Sequence, residues 1–452
     1  MHGIILPWVN KKRMLVFSGK MFCTWLWSVG VFFCSAFLFL SGSAQVPTPA
    51  PPQNKPVVIR GATIHTGNGD VIENGVLRFE NGKITAVGQA GLVMPDDITI
   101  EIDAAGKHVY PGLIAVNTTL GLTEIDAVRA TRDFMETGEF NPNVRTIIAY
   151  NTDSRIIPTV RSNGILLAQI TPSGGLLSGM SSVVQLDAWN WEDAAYKTDI
   201  GIHVRWPSRL LTTGWWGEPG PLKANEKYGE DIRRLHDFFA QAKAYAENHS
   251  PSEKNLRFES MRGLFNQQKK LFVHVDRASE ILEAIDFCKR YGVKMVIVGG
   301  RDTHLVAERL RAENIPVIVL AVFELPDRAD DDTDEGYRLP FLLQNAGVEF
   351  CIGVYGSWEQ RSLPFVAGAA AAYGLSKEDA LATITSRAAK ILGIDATTGT
   401  LQPGKDATLI IASGDILDIK SSNVEMAFIQ GRQIDLDDPH KALYRKFRSR
   451  YE

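Results

Sequence analysis

The spacing of apolar positions changes character three times along this chain. From Val57 to Tyr110, short apolar–polar alternations are punctuated by glycine: VVIRGATIHTG, GVLRFENGKITAVG and ITIEIDAAGKHVYPG. Alternation of period two predicts half-buried strands, and Asn81-Gly82 between two such runs predicts a tight hairpin. From about residue 109 to 398 the pattern becomes short apolar runs separated by stretches of helical period. Leu271–Val275, Met295–Val298, Val317–Leu320 and Glu349–Ile352 read as strands with helices between them, and residues 224–268 as two amphipathic helices. The earlier strands, Ile165–Ile170, Ser182–Asp187 and Ile202–Arg205, are less regularly spaced. Strand–helix alternation of this length fits an α/β barrel of eight strands better than an open sheet. From about 400 to 435 the β pattern returns (LQPGKDATLIIASGDILDIKSSNVEMAFIQGRQI), and KALYRKFRSRYE closes the chain as a basic helical tail.

The segment Val109-Tyr-Pro-Gly-Leu-Ile-Ala-Val-Asn-Thr-Thr-Leu-Gly-Leu122 joins the first two regions. It reads as an apolar strand opened by a Pro-Gly turn and closed by the polar trio Asn117, Thr118 and Thr119. Catalytic groups of a (β/α) barrel sit at the C-terminal ends of its strands, so this trio is where chemistry is sought first.

Composition adds a compartment. The first 44 residues carry Lys11, Lys12, Arg13 and Lys20 ahead of an apolar run from Met21 to Leu40, then Ser41-Gly-Ser-Ala44-Gln45. A basic start, an apolar stretch and a small-residue site predict a signal peptide over 1–44 and export to the periplasm or beyond. An uncleaved anchor is the alternative, since ~20 apolar residues span a bilayer. Cleavage leaves 44 Lys and Arg against 52 Asp and Glu, a net −8, with no stable membrane insertion expected. An acidic chain without a basic stripe argues against nucleic acid as a partner. Residues 45–56 (QVPTPAPPQNKP) form a Pro-rich, extended linker. Cys288 and Cys351 remain after cleavage and read as buried thiols, one disulfide being the alternative.

Several of these segments together resemble the amidohydrolase superfamily, nearest to its imidazolonepropionase-like and dipeptidase-like members. The carriers are the 57–88 pattern, Pro111-Gly-Leu-Ile114, Gly374–Gly393, and the Gly399–Ile411 return. The resemblance implies a distorted (β/α)8 TIM-type barrel over 109–398 and a composite β-sandwich made from residues 57–108 and 399–435, with 436–452 as a tail. It also implies hydrolysis of a carbon–nitrogen bond, in a cyclic amide or small peptide-like substrate, by a metal that activates water. The family's strand-one histidine pair falls on Asn117 and Thr119, its strand-six histidine on Gly299-Gly300, and its strand-eight aspartate on Tyr355 or a neighbour. His274 matches the strand-five histidine, with Asp276 two residues on. Asn and Thr bind transition metals far more weakly than imidazole or carboxylate. Of about five expected ligands one survives, so zinc or another divalent ion would have His274 alone.

The pocket residues expected from these positions are Asn117, Thr119, His274, Gly300 and Tyr355. Two functions stay open. One is a hydrolase with an altered site, run by a reduced metal set or by His274 and Asp276 as an acid–base pair. The other is an inactive relative that binds a small molecule or pairs, as a homo- or hetero-oligomer, with a related amidohydrolase.

Overall fold

The computed structural model describes residues 48–92, 98–215, 217–248, 250–320, 322–326 and 331–452. The expected signal peptide, with Cys23 and Cys34, lies outside the described residues. The strands in chain order are β1 (Val57–His65), β2 (Val71–Glu80), β3 (Lys83–Gln89), β4 (Ile100–Asp103), β5 (His108–Pro111) and β6 (Leu113–Thr118). Next come β7 (Ile165–Ile170), β8 (Leu177–Gln185), β9 (Ala195–Arg205), β10 (Leu210–Trp215) and β11 (Glu218–Ala224). The last are β12 (Lys270–Val275), β13 (Met295–Gly299), β14 (Val317–Val319), β15 (Phe350–Ile352), β16 (Leu409–Ser413), β17 (Asn423–Ile429) and β18 (Arg432–Ile434).

The two β-rich ends meet in one eight-stranded sheet, ordered β18-β17-β16-β5-β1-β2-β3 with β4 beside β1. The N- and C-terminal segments therefore build a single continuous sheet, hydrogen-bonded where β16 runs antiparallel to β5. Asn81 (φ 52°) and Gly82 (φ 76°) make the tight turn between β2 and β3, both left-handed as a two-residue hairpin requires. The Pro-rich segment is tied down from Ala50 onward. Ala50 N–H donates to Asp187 Oδ2 at 2.9 Å, and Gly82 N–H donates to Gln53 Oε1 at 2.8 Å. Asp187 also takes Arg161 Nη1 at 2.6 Å and Arg432 Nη1 at 3.1 Å, joining that segment, the barrel and the composite sheet at one buried carboxylate.

The chain enters the barrel through Gly112, between β5 and β6. A Cβ there would stand 2.8 Å from Leu166 Cδ1 and 2.9 Å from Thr408 Cγ2, so glycine eases the close passage of the chain from the first sheet into the second. The barrel sheet runs β15-β14-β13-β12-β9-β8-β7-β6. Its last four strands and β9 are parallel, whereas β8 is antiparallel to both β7 and β9. That reversed third strand is the distortion of the barrel. Between β15 and β6 the ring closes by contact: Gly353 lies against Val116, and Thr118 Oγ1 donates to Gly356 O at 2.7 Å.

Inside the ring, Ile114, Val116, Leu167, Val183, Phe272, Val296, Val298 and Ile318 make one apolar core with Cys351 among them. Cys351 and Cys288 are free and buried, and burial pushes both thiols up. Helices Tyr228–Glu247 and Leu256–Phe265 fill the expected 224–268 region. The β10–β11 hairpin before them has no counterpart in the sequence reading. Among the described residues no helix is long and apolar enough to cross a membrane.

Candidate functional site

Above the apolar layer the barrel interior turns polar, and five strand residues are hydrogen-bonded in series. The series starts at Asn117, near the end of β6. Its φ of 53° is left-handed, a conformation Asn adopts more readily than most residues, and it turns the peptide N–H inward. That N–H donates to Gln169 Oε1 on β7 at 3.1 Å. Gln169 Nε2 donates to Ser181 Oγ on β8 at 3.0 Å. Ser181 Oγ lies 2.8 Å from Nε2 of His203 on β9, and His203 Nδ1 lies 3.0 Å from Nε2 of His274 on β12.

Gln169, Ser181 and His203 are wholly buried, whereas His274 keeps part of its surface open. His203 is also stacked flat on Phe272, with ring centroids 4.7 Å apart. Burial, then the neighbouring His274, holds His203 well below its ordinary value. Burial, then the charge of Arg205, brings His274 down to about 3. Both rings are therefore neutral near pH 7.

The other expected pocket residues do not join this series. Thr119 is half-buried just past β6, and its carbonyl accepts from Leu122 N–H. Tyr355 is 47% exposed. Asp276 faces the next turn: its Oδ1 lies 3.4 Å from Arg301 N and would stand 2.5 Å from a Cβ at Gly299. Gly299 and Gly300 have φ of 97° and 71°, and a Cβ on Gly300 would meet Thr303 Cγ2 at 2.7 Å. Any side chain at either position would strain the left-handed backbone, and at Gly300 it would also press on the packed methyls of Thr303 and Ile297. His304 lies on the short helical turn Arg301–Val306, with Nδ1 3.3 Å from Arg301 O.

A metal of the kind the family uses does not fit these residues. It needs several imidazole or carboxylate ligands converging on one point. Among the described residues no group of three or more His, Cys, Asp or Glu side chains does so. One nitrogen of His274 is engaged by His203, and His203 has both nitrogens engaged within the series. Asn117 Oδ1 is buried without a partner among the described residues, a neutral acceptor where the resemblance expects imidazole.

The sequence singles out Asn117 and His274 but not the three residues that link them. A signal existed for His203. In Ile202–Arg205 it is a polar residue inside an apolar run, and period two puts it on one face with Arg205. Gln169 and Ser181 carry no comparable mark: the apolar pattern puts this strand at Ser182–Asp187 and carries no sign of its reversal, whereas β8 runs Leu177–Gln185 antiparallel to β7.

Fold and site together define a (β/α)-barrel protein whose strand-end groups bond to one another. Residues 230–434 match the amidohydrolase family. The chain is 24% identical over 389 residues to imidazolonepropionase from Thermoplasma volcanium, covering 78% of this chain and 89% of that protein. A 114-residue stretch is 32% identical to amidohydrolase tasK of Hapsidospora irregularis, 23% of this chain but only 12% of that protein's length. An amidohydrolase structure from Thermotoga maritima superimposes with a TM-score of 0.72 at 23% identity, covering 84% of this chain and 99% of the other. A Xaa-Pro dipeptidase structure does so with a TM-score of 0.54 at 13% identity, covering 84% and 100%. The match to the amidohydrolase family is thus carried by residues 230–434.

Proposed function

We propose that this protein is an exported member of the amidohydrolase family that binds a small polar molecule at the barrel mouth without a catalytic metal. The observation that carries this reading is the Asn117–Gln169–Ser181–His203–His274 series, which commits the strand ends to one another. A water-activating centre needs ionised or lone-pair ligands free to converge. Two neutral, mutually bonded histidines do not supply them. The left-handed backbone at Gly299 and Gly300, which disfavours any side chain there, supports the same reading.

Metal analysis tests it. After loading with Zn, Mn, Fe or Ni and removal of excess, the protein should retain less than roughly a tenth of an equivalent, since structural and catalytic sites bind near stoichiometry. Stoichiometric metal that disappears in His274→Ala overturns the reading. A second reading, hydrolysis of a carbon–nitrogen bond with an altered site, is favoured by the similarity to imidazolonepropionase. It requires turnover of a cyclic amide or dipeptide that falls at least tenfold in His274→Gln, a loss of about 1.4 kcal/mol in transition-state stabilisation.

A further inference from the structure

We propose that the barrel mouth is a carboxylate-binding site in which the ring N–H of His274 and the guanidinium of Arg205 hold the anion. This rests on the reading that no metal is bound by His274.

The hydrogen-bonded series has a direction, set at its buried end. A backbone N–H can only donate, so Asn117 turns Gln169 to offer Oε1 to it and Nε2 to Ser181. Ser181 Oγ receives that N–H, and the acceptor within reach of its own hydroxyl proton is His203 Nε2. A neutral imidazole that accepts at Nε2 carries its proton on Nδ1. His203 Nδ1–H then points at His274 Nε2, 3.0 Å away, which accepts. His274 must carry its proton on Nδ1. That nitrogen has no hydrogen-bond partner among the described residues, and His274 is the least buried residue of the series.

The series thus delivers an N–H donor, not a lone pair, to the open end. Reversing it would strand the Ser181 hydroxyl in the interior without an acceptor. A metal approaching Nδ1 would need that reversed tautomer, so the direction that disfavours a metal is the one that favours an oxygen anion.

Arg205 supplies the charge. It is the register partner of His274 across the β9–β12 ladder and lies two residues beyond His203 on the same strand face. Its side chain is exposed at the mouth, where Nη2 donates to Ser173 Oγ at 3.1 Å. Its charge is felt at the His274 ring. A planar guanidinium beside a neutral N–H suits a singly charged carboxylate, which Arg recognises with paired donors.

The test uses protein labelled with 15N-histidine and N-acetylglycine as the probe. Long-range 1H–15N correlation should show His203 and His274 protonated on Nδ1. Adding N-acetylglycine should shift the His274 ring signals. Arg205→Gln, an exposed change, should keep the tautomer and weaken binding at least tenfold, with Arg205→Lys in between. Ser181→Ala should release the His203 tautomer and weaken binding as well. An Nε2-protonated His274, equal binding in Arg205→Gln, or binding of N-acetylglycinamide or inorganic phosphate as tight as that of N-acetylglycine each overturns the proposal. Stoichiometric Zn that displaces the Nδ1 proton defeats both this inference and the metal-free reading. Failure of N-acetylglycine with no Zn bound defeats this inference alone.

Discussion

Strands β12 to β15 form ladders without a register shift, all parallel, each three to six residues long. Strands β6 to β9 behave otherwise. Their ladders shift register between β6 and β7 and again between β8 and β9, β8 runs backwards, and β9 reaches eleven residues. The regular half contributes mostly apolar groups to the interior: Phe272, Val296, Val298, Ile318 and Cys351. The irregular half contributes Gln169, Ser181 and His203, and the polar series crosses to the regular half only at His274. The reversal is what allows this. In an antiparallel pair, residues two apart from the directly opposed one are diagonal neighbours within side-chain reach. Gln169 opposes Val183 and His203 opposes Gly179, so Ser181 sits two residues from each opposed position and touches both. An all-parallel barrel fills its layers from alternate strands and would not align three adjacent strands this way.

The largest effect expected from this contrast is on stability. Phe272→Ala should cost about 3–5 kcal/mol, because it opens a cavity in the middle of the apolar layer and removes the ring on which His203 lies. Val183→Ala, its counterpart in the irregular half, should cost ~2 kcal/mol. Urea unfolding of both variants checks the pair. Equal losses would mean that the two halves share one core and that the contrast is only topological.

The two halves were also unequally legible from sequence. The four strands of the regular half lie within a residue or so of where apolar runs and helical spacers put them, because each run is bounded by polar or glycine residues and nothing interrupts its period. The two β-rich ends read as a composite β-sandwich, whereas their strands form one eight-stranded sheet, with the hairpin at Asn81-Gly82. Strand β8 was half missed. Leu177 to Ser181 look like the tail of a glycine-rich loop, since Gly179 and two serines dilute the apolar pattern. Chain direction leaves no trace in periodicity. The site inherited that limit: His274 stood out on a clean strand, whereas Ser181 acquires its partner only through a reversal that long-range pairing decides.

A smaller effect separates the halves by pH. Both histidines of the series are neutral in the folded protein, with values lowered mainly by burial, to about 3 for His274. In the unfolded chain a histidine titrates near 6.5. Below about pH 6.5 the unfolded state takes up protons that the folded state refuses, so stability falls as pH drops. The slope is up to about 1.4 kcal/mol per pH unit for each histidine, and for His274 it ends near its folded value. His108, lowered by burial in the composite sheet, adds to the same trend. Urea midpoints at pH 7.5 and 5.5 should differ by less in His274→Gln than in the parent protein. An unchanged difference would mean that the mouth does not set the acid limit.

The smallest effect is the most local. Asn117 is held at a φ of 53°, and that turn aims its peptide N–H at Gln169 and gives the series its direction. Asn117→Gly should leave stability within about 0.5 kcal/mol, because glycine adopts this backbone without strain. Asn117→Val should cost ~1–2 kcal/mol, since a β-branched residue resists the left-handed region. It should also let Gln169 rotate, which histidine 15N shifts would report as mixed tautomers at His203. The direction of the series is therefore tied to a left-handed residue of the irregular half. If Asn117→Val is as stable as the parent and His203 keeps a single tautomer, the register shift at the end of β6 is incidental. The polar layer would then owe its order to β8 alone.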